Sequence, residues 1–203
     1  MTILSVNKTR EKDGRSMRSF CLWARVCPFF ILEERMPGKS RFLAHGALIG
    51  ALYVALTYLQ NFLIPGSASW AIQFRASEAL CVLALFTPAA IPGLTLGCMF
   101  FNISFAGALP LDFLVGSLAT LLATAGMYGL RPVTVKGYPL PAMLLPAVGN
   151  GVLVGWELSV YIGGGFWLNA LYVFIGEAAV LLTLGSALFY AIRTRGLDKR
   201  LFG

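Results

Sequence analysis

Polar positions in this chain come in short clusters between long apolar stretches. After Arg41, apolar residues run with few interruptions over about 43–64, 77–91, 92–105, 111–130, 140–162 and 167–192. Most of these stretches approach or exceed the ~20 residues that an α-helix needs to cross the hydrocarbon of a bilayer. The two short ones, 77–91 and 92–105, are parted by Thr87-Pro88 and Pro92-Gly93, residues that end helices and open turns. Between the others lie the loop Pro65–Phe74 and a polar turn with Arg131, Pro132 and Lys136. The pattern predicts an all-α integral membrane protein with six transmembrane helices.

Composition narrows the class. Of 203 residues, 58% are hydrophobic and 12% are charged, with a mean hydropathy of +0.76. A soluble domain is nearer half apolar and a quarter charged, and a chain of this size has no interior large enough for the excess. This excludes a disordered chain, and it excludes a nucleic-acid-binding domain despite the basic pI.

Charge sets the topology. Residues 1–41 carry nine Lys/Arg and four Asp/Glu, residues 42–192 three bases and four acids, and residues 193–203 four bases and one acid. Basic flanks beside a membrane report the cytoplasmic side. Were 77–105 a single kinked span, the two basic ends would face opposite sides. As two spans, it puts both termini and the turn Arg131–Lys136 in the cytoplasm, and fifteen of the sixteen basic residues lie inside. Only Arg75 does not. The expectation is therefore N-in and C-in.

Residues 1–35 read differently from 36–203, the six-span membrane domain. Phe20–Leu32 is apolar but short, and it contains Arg25 and Pro28. Glu33, Glu34 and Arg35 stand where a signal peptide would have small residues. The glutamate codons before Met36 can also read as a ribosome-binding sequence. The expectation is that 1–35 is a mis-called extension and Met36 the native start; the alternative is an amphipathic leader on the membrane surface.

Candidate chemistry lies in the embedded polar groups. A charge at mid-membrane costs roughly 2.5–3.5 kcal/mol on insertion scales, yet the spans hold Glu78, Asp112, Glu157 and Glu177 against one base, Arg75. Arg75 and Glu78, three residues apart, can pair on one helical face. Asn150 and Glu157 are seven residues apart, nearly two turns, so they share a face about 10 Å apart. That suits the two ends of a fused bicyclic ring. Trp167 and Trp156 can stack on a flat ring, although interfacial anchoring is the plainer reading of Trp167. The surplus of acids favours a ligand that is cationic or rich in N–H donors, since a carboxylate accepts two N–H bonds side by side. A proton relay is the competing reading. Ala47, Ala51 and Ala55 form a small-residue stripe on the first span, beside Gly46 and Gly50, of the kind that lets another helix approach closely.

Nothing in the sequence points to an enzyme. There is no GxxxxGK[ST] loop, HExxH or GxSxG motif. Four cysteines without a CxxC pair, and a single histidine, His45, argue against a metal site. No cofactor is implied.

Four segments carry a resemblance: QFRASEALCVLALFTPAAIP (Gln73–Pro92), GALPLDFLVGSLAT (Gly107–Thr120), NGVLVGWEL (Asn150–Leu158) and FWLNALYVFIGE (Phe166–Glu177). Over about Ala44–Tyr190 the chain resembles the QueT family of predicted queuosine-precursor transporters, substrate-binding (S) subunits of energy-coupling factor (ECF) transporters. The resemblance implies an ECF S-component-like fold and a small-molecule substrate such as 7-aminomethyl-7-deazaguanine. It implies partners: a transmembrane coupling subunit, with Ala47, Ala51 and Ala55 at the contact, and two ATPase subunits. It places substrate on the extracytoplasmic side, near Gln73, Arg75, Glu78, Asn150, Glu157, Trp167 and Glu177. On this reading Glu157 accepts from the pyrimidinone N–H and exocyclic amine. Glu177 or Glu78 faces the aminomethyl cation, Trp167 stacks on the ring, and the loop Pro65–Phe74 closes over the site. Rival readings are an S subunit for another vitamin or base, a proton-driven secondary transporter, and a structural membrane scaffold.

Overall fold

In the computed structural model the described residues are 38–65, 74–105 and 109–198. They form α1 (Lys39–Leu63), a 3-10 helix (Ala76–Leu85), α2 (Ala90–Ser104), α3 (Asp112–Leu130), α4 (Leu140–Tyr161) and α5 (Phe166–Thr194). α1, α3, α4 and α5 are long and apolar enough to cross a membrane; the 3-10 helix and α2 are shorter. Residues 1–35 and Gln73 lie outside the described residues.

Local chemistry explains the breaks. α1 ends at Leu63, two residues before Pro65, as the steric clash ahead of a proline requires. The 3-10 helix stops before Thr87-Pro88, where the Thr87 hydroxyl accepts the Ala89 N–H at 3.3 Å. Pro92 sits in the first turn of α2, where a missing N–H costs no intrahelical bond. α5 passes through one π-helical stretch, Leu181–Gly185. A Cβ on Gly185 would meet Val82 at 3.1 Å and Met143 at 3.3 Å, so the bare glycine lets both neighbours in.

The directions of the rods follow from who meets whom. Tyr53 meets Glu78, Thr57 meets Ser77 and Gln60 meets Ala76, so the 3-10 helix runs antiparallel to α1. Gly46 packs on Gly93 and Gly50 on Gly97, so α2 runs parallel to α1. The chain therefore reverses at 86–89, and 77–105 is two opposed rods with 3-10 geometry in the first, rather than one kinked helix. α2 and α3 meet through Asn102–Asp112, α3 and α4 through Gly126–Leu145, α4 and α5 through Gly151–Phe174. Each pair is antiparallel. The start of α1 and the end of α5 accordingly share one end of the bundle with Arg131 and Lys136. Among the described residues, Lys39, Arg41, Arg131, Lys136, Arg193 and Arg195 lie at this basic end, and only Arg75 lies at the other.

The 3-10 helix is the central post. Eight of its ten residues are buried, and it touches every other helix. That explains why its sequence is apolar all round rather than striped. Tyr53, Val82, Leu94, Met127, Met143 and Leu181 close the core around it. Outward-facing positions are apolar too: Leu43, Leu48, Phe62, Phe100 and Leu122 are all more than half exposed, as a lipid-facing surface requires and an aqueous one does not.

The small residues of α1 serve two faces. Gly46 and Gly50 point inward, where a Cβ on Gly93 would lie 2.4 Å from the Gly46 carbonyl oxygen. Ala47, Ala51 and Ala55 point outward and are exposed. Gly93→Ala is therefore expected to destabilise the protein by about 1–3 kcal/mol through overpacking against backbone. Gly129→Ala, which meets nothing within 4 Å, is expected to leave the melting temperature unchanged or slightly raised. Thermal unfolding of both variants in detergent checks the pair.

Candidate binding site

Acids and their partners gather near the end of the bundle opposite the basic one. Glu78, in the first turn of the central post, is 1% exposed. The Tyr53 hydroxyl donates to its Oε1 at 2.6 Å and the Cys81 thiol to its Oε2 at 3.1 Å. Residues three apart eclipse on a 3-10 helix, which is why Cys81 stands over Glu78. Arg75, just before the post, forms an ion pair with Asp112 at the start of α3, 3.5 Å apart and buried on both sides. This ion pair ties two elements together. Gln60 of α1 clamps the same strand of chain: its Oε1 accepts the Ala76 N–H at 2.6 Å and its Nε2 donates to the Phe74 carbonyl.

Glu157 and Glu177 complete the cluster from α4 and α5, each 1% exposed. Asn150 of α4 and Glu177 of α5 are both buried, and the two helices pack closely at Gly155, whose missing Cβ lets Ala170 approach. Asn150 and Glu157 are both buried on α4, as their seven-residue spacing predicts. The oxygens are unequally engaged. Among the described residues, Oε1 and Oε2 of Glu157 and Oε2 of Glu177 have no hydrogen-bond partner, whereas both oxygens of Glu78 do. A buried carboxylate left open is costly unless donors reach it. Glu157 can accept a pair of parallel N–H groups, and Glu177 a single donor or a cation. Glu78 is already committed to holding α1 and the post together.

The structure brings most of the sequence-predicted polar residues together and adds partners that the sequence did not single out. Arg75, Glu78, Asn150, Glu157 and Glu177 come together; Gln73 lies outside the described residues. Trp167 stands apart: it is 83% exposed in the first turn of α5, edge-on to Phe166 at 5.0 Å, a position that supports interfacial anchoring rather than stacking on a buried ring. Tyr53, Cys81 and Asp112 are the missed members. Tyr53 left one signal in the sequence, since a tyrosine at mid-span lies away from the interface that this residue favours. Asn102 serves structure, donating to the Asp112 carbonyl at 3.0 Å.

On the opposite flank, α1 and α2 enclose an outward-facing apolar groove of about 580 Å³. Ala47, Ala51 and Ala55 form one wall, and Leu96 and Phe100 the other.

Among known proteins, the sequence model of the family described as QueT transporter matches residues 43–194. The chain is 39% identical over 79 residues to the queuosine precursor transporter QueT of Lactococcus lactis subsp. cremoris (strain MG1363), a match covering 37% of this chain and 43% of that relative. The matched part thus spans less than half of that relative's length. No solved structure matches.

Removing either partner of the Arg75–Asp112 pair leaves the other charge buried, at a cost of about 3–5 kcal/mol. Arg75→Ala and Asp112→Ala are each expected to lower the melting temperature strongly. The double variant is expected to lose less than the sum. A double-mutant cycle of thermal unfolding in detergent reads the coupling.

Proposed function

Because the chain belongs to the QueT transporter family, we propose that it is the substrate-binding membrane subunit of an ATP-driven ECF importer for a queuosine precursor, 7-aminomethyl-7-deazaguanine or a close relative. The observation that carries the substrate assignment is the unequal engagement of three buried glutamates. Glu157 offers two open oxygens to the amidine-like edge of a guanine-type base, a geometry that a single carboxylate matches. Glu177 turns its open Oε2 to the aminomethyl cation. Glu78 supports the site from behind through Tyr53 and Cys81.

Topology agrees with import. With the basic end in the cytoplasm, as positive charge directs, both termini are cytoplasmic and the acid cluster lies toward the extracytoplasmic side. The glycine run Gly163–Gly165, whose φ values of 84–85° require residues without a Cβ, bounds that end. Energy is supplied by partner subunits: a transmembrane coupling subunit seated on the Ala47, Ala51 and Ala55 groove, and two ATPases behind it.

Calorimetric titration of the purified chain with 7-aminomethyl-7-deazaguanine, with guanine, riboflavin and thiamine as controls, tests the substrate. Saturable binding of the deazaguanine alone is expected. Glu157→Gln is expected to weaken it by about 2–5 kcal/mol, roughly 30- to 5,000-fold. A Glu157→Gln protein binding at wild-type affinity removes Glu157 from the site. Uptake into vesicles driven by a pH gradient without any ATPase would replace the importer reading by a proton-driven carrier.

The groove has its own test. Ala51→Trp is expected to abolish co-purification with the coupling subunit while leaving deazaguanine affinity within about twofold, since Ala51 faces outward, away from the acid cluster.

A further inference from the structure

A second concavity lies at the basic end, far from the acids. It has a volume of about 170 Å³ and is formed where the end of the central post, the turn after α3 and the last turns of α5 meet. Phe86, Pro139 and Phe189 make its apolar wall; Arg131, Arg193 and the Thr134 side chain make its polar rim. The volume is that of about five or six waters, space for one phosphate group with its ester oxygens.

Both guanidinium groups are held in place by aromatic faces. Arg131 lies 3.8 Å over the Tyr128 ring and Arg193 lies 5.7 Å over the Phe189 ring. Phe189 is itself fixed by Phe86 and Tyr138, each with its ring centre 5.6 Å away. Such stacking restrains a long side chain while its N–H groups keep their donor capacity. Among the described carboxylates, Asp112 pairs with Arg75, the three glutamates lie in the acid cluster described above, and Asp198, the one at the basic end, does not line the pocket. Two pre-positioned forks at one small cavity, with the Thr134 side chain also lining it, match the oxygens of a phosphate better than any other common anion.

We propose that the Arg131–Arg193 pocket is a binding site for a phosphate-bearing anion, the phosphodiester of an acidic phospholipid or a free phosphate. The pocket opens at the level where helix ends leave the hydrocarbon, and its wall of Phe86, Pro139 and Phe189 offers apolar surface beside the charge. Both features favour the lipid, whose phosphate headgroup and acyl chains are polar and apolar in the same order. The site rests on the membrane-spanning reading but not on the identity of the transported substrate.

The test uses the full chain in an uncharged maltoside detergent. Soluble short-chain phosphatidylglycerol, short-chain phosphatidylcholine and inorganic phosphate are each titrated while thermal unfolding is followed. Phosphatidylglycerol is expected to raise the melting temperature by several degrees in a saturable way, and phosphatidylcholine not to. R131Q/R193Q is expected to lose the increment, and Arg195→Gln, which removes a charge outside the pocket, to retain it. R131K/R193K preserves net charge; loss of at least half the increment there assigns the effect to the guanidinium forks. A shift with phosphatidylglycerol alone identifies lipid as the source, and an equal shift with inorganic phosphate identifies the free anion. Absence of a shift with both anionic probes, or an equal shift in R131Q/R193Q, overturns the site. A cooperative unfolding transition and a single symmetric gel-filtration peak, measured on the same samples without lipid, report that the variants are folded and keep this outcome separate from the substrate assignment.

Discussion

The hydrogen bond from Tyr53 to Glu78 joins the first long helix to the post on which everything else leans. A carboxylate in an apolar interior is stable only where donors reach it. Glu78 is therefore tied down by Tyr53 from α1 and by Cys81 from its own helix. This fixes how deep the 3-10 helix sits and which way it is turned. The post touches every other helix, so its height sets where Glu157 and Glu177 come to rest. Ten residues of 3-10 helix extend about 20 Å, against about 15 Å for an α-helix of that length. The tighter winding lets a short segment reach from the acid cluster to the reversal at 86–89.

Around that post the helices approach by omission of side chains. Gly46, Gly50, Gly93 and Gly97 bring two parallel helices into backbone contact. Gly151 and Gly155 do the same for α4 against α5. Between apolar helices in lipid there is little hydrophobic gain from association, so close van der Waals contact carries the packing. A consequence is the division of α1 into a glycine face turned inward and an alanine face turned outward. One stripe of small residues thus supports both the fold and an exposed groove.

The molecule is also polar along its length in the electrostatic sense. Acids collect toward one end, where each is engaged by a neighbour or offers open oxygens. Arginines collect at the other, two of them steadied on aromatic rings. The single base among the acids, Arg75, is paired with Asp112. One base against four acids leaves that end with net capacity to accept hydrogen bonds.

Much of this was legible in the residues. Helix limits follow from apolar run length and from Pro65, Pro88 and Gly165, because the cost of unpaired backbone in lipid leaves helices as the only way across. Opposed rods over 77–105 follow from the basic residues, because charge at helix ends resists burial. The buried acids were visible for the same reason. What needed the tertiary structure was which partner each acid takes. Arg75 pairs with Asp112 at the start of another helix, and Glu78 takes the hydroxyl of Tyr53, 25 residues away. Nor does local spacing show that Glu157 keeps both oxygens open while Glu78 keeps none. Such pairings depend on distances between helices, which close glycine contacts set, and on a 3-10 winding that apolar periodicity does not encode. Run length and charge determine which segments cross and which way they face; only packing determines which polar atoms meet.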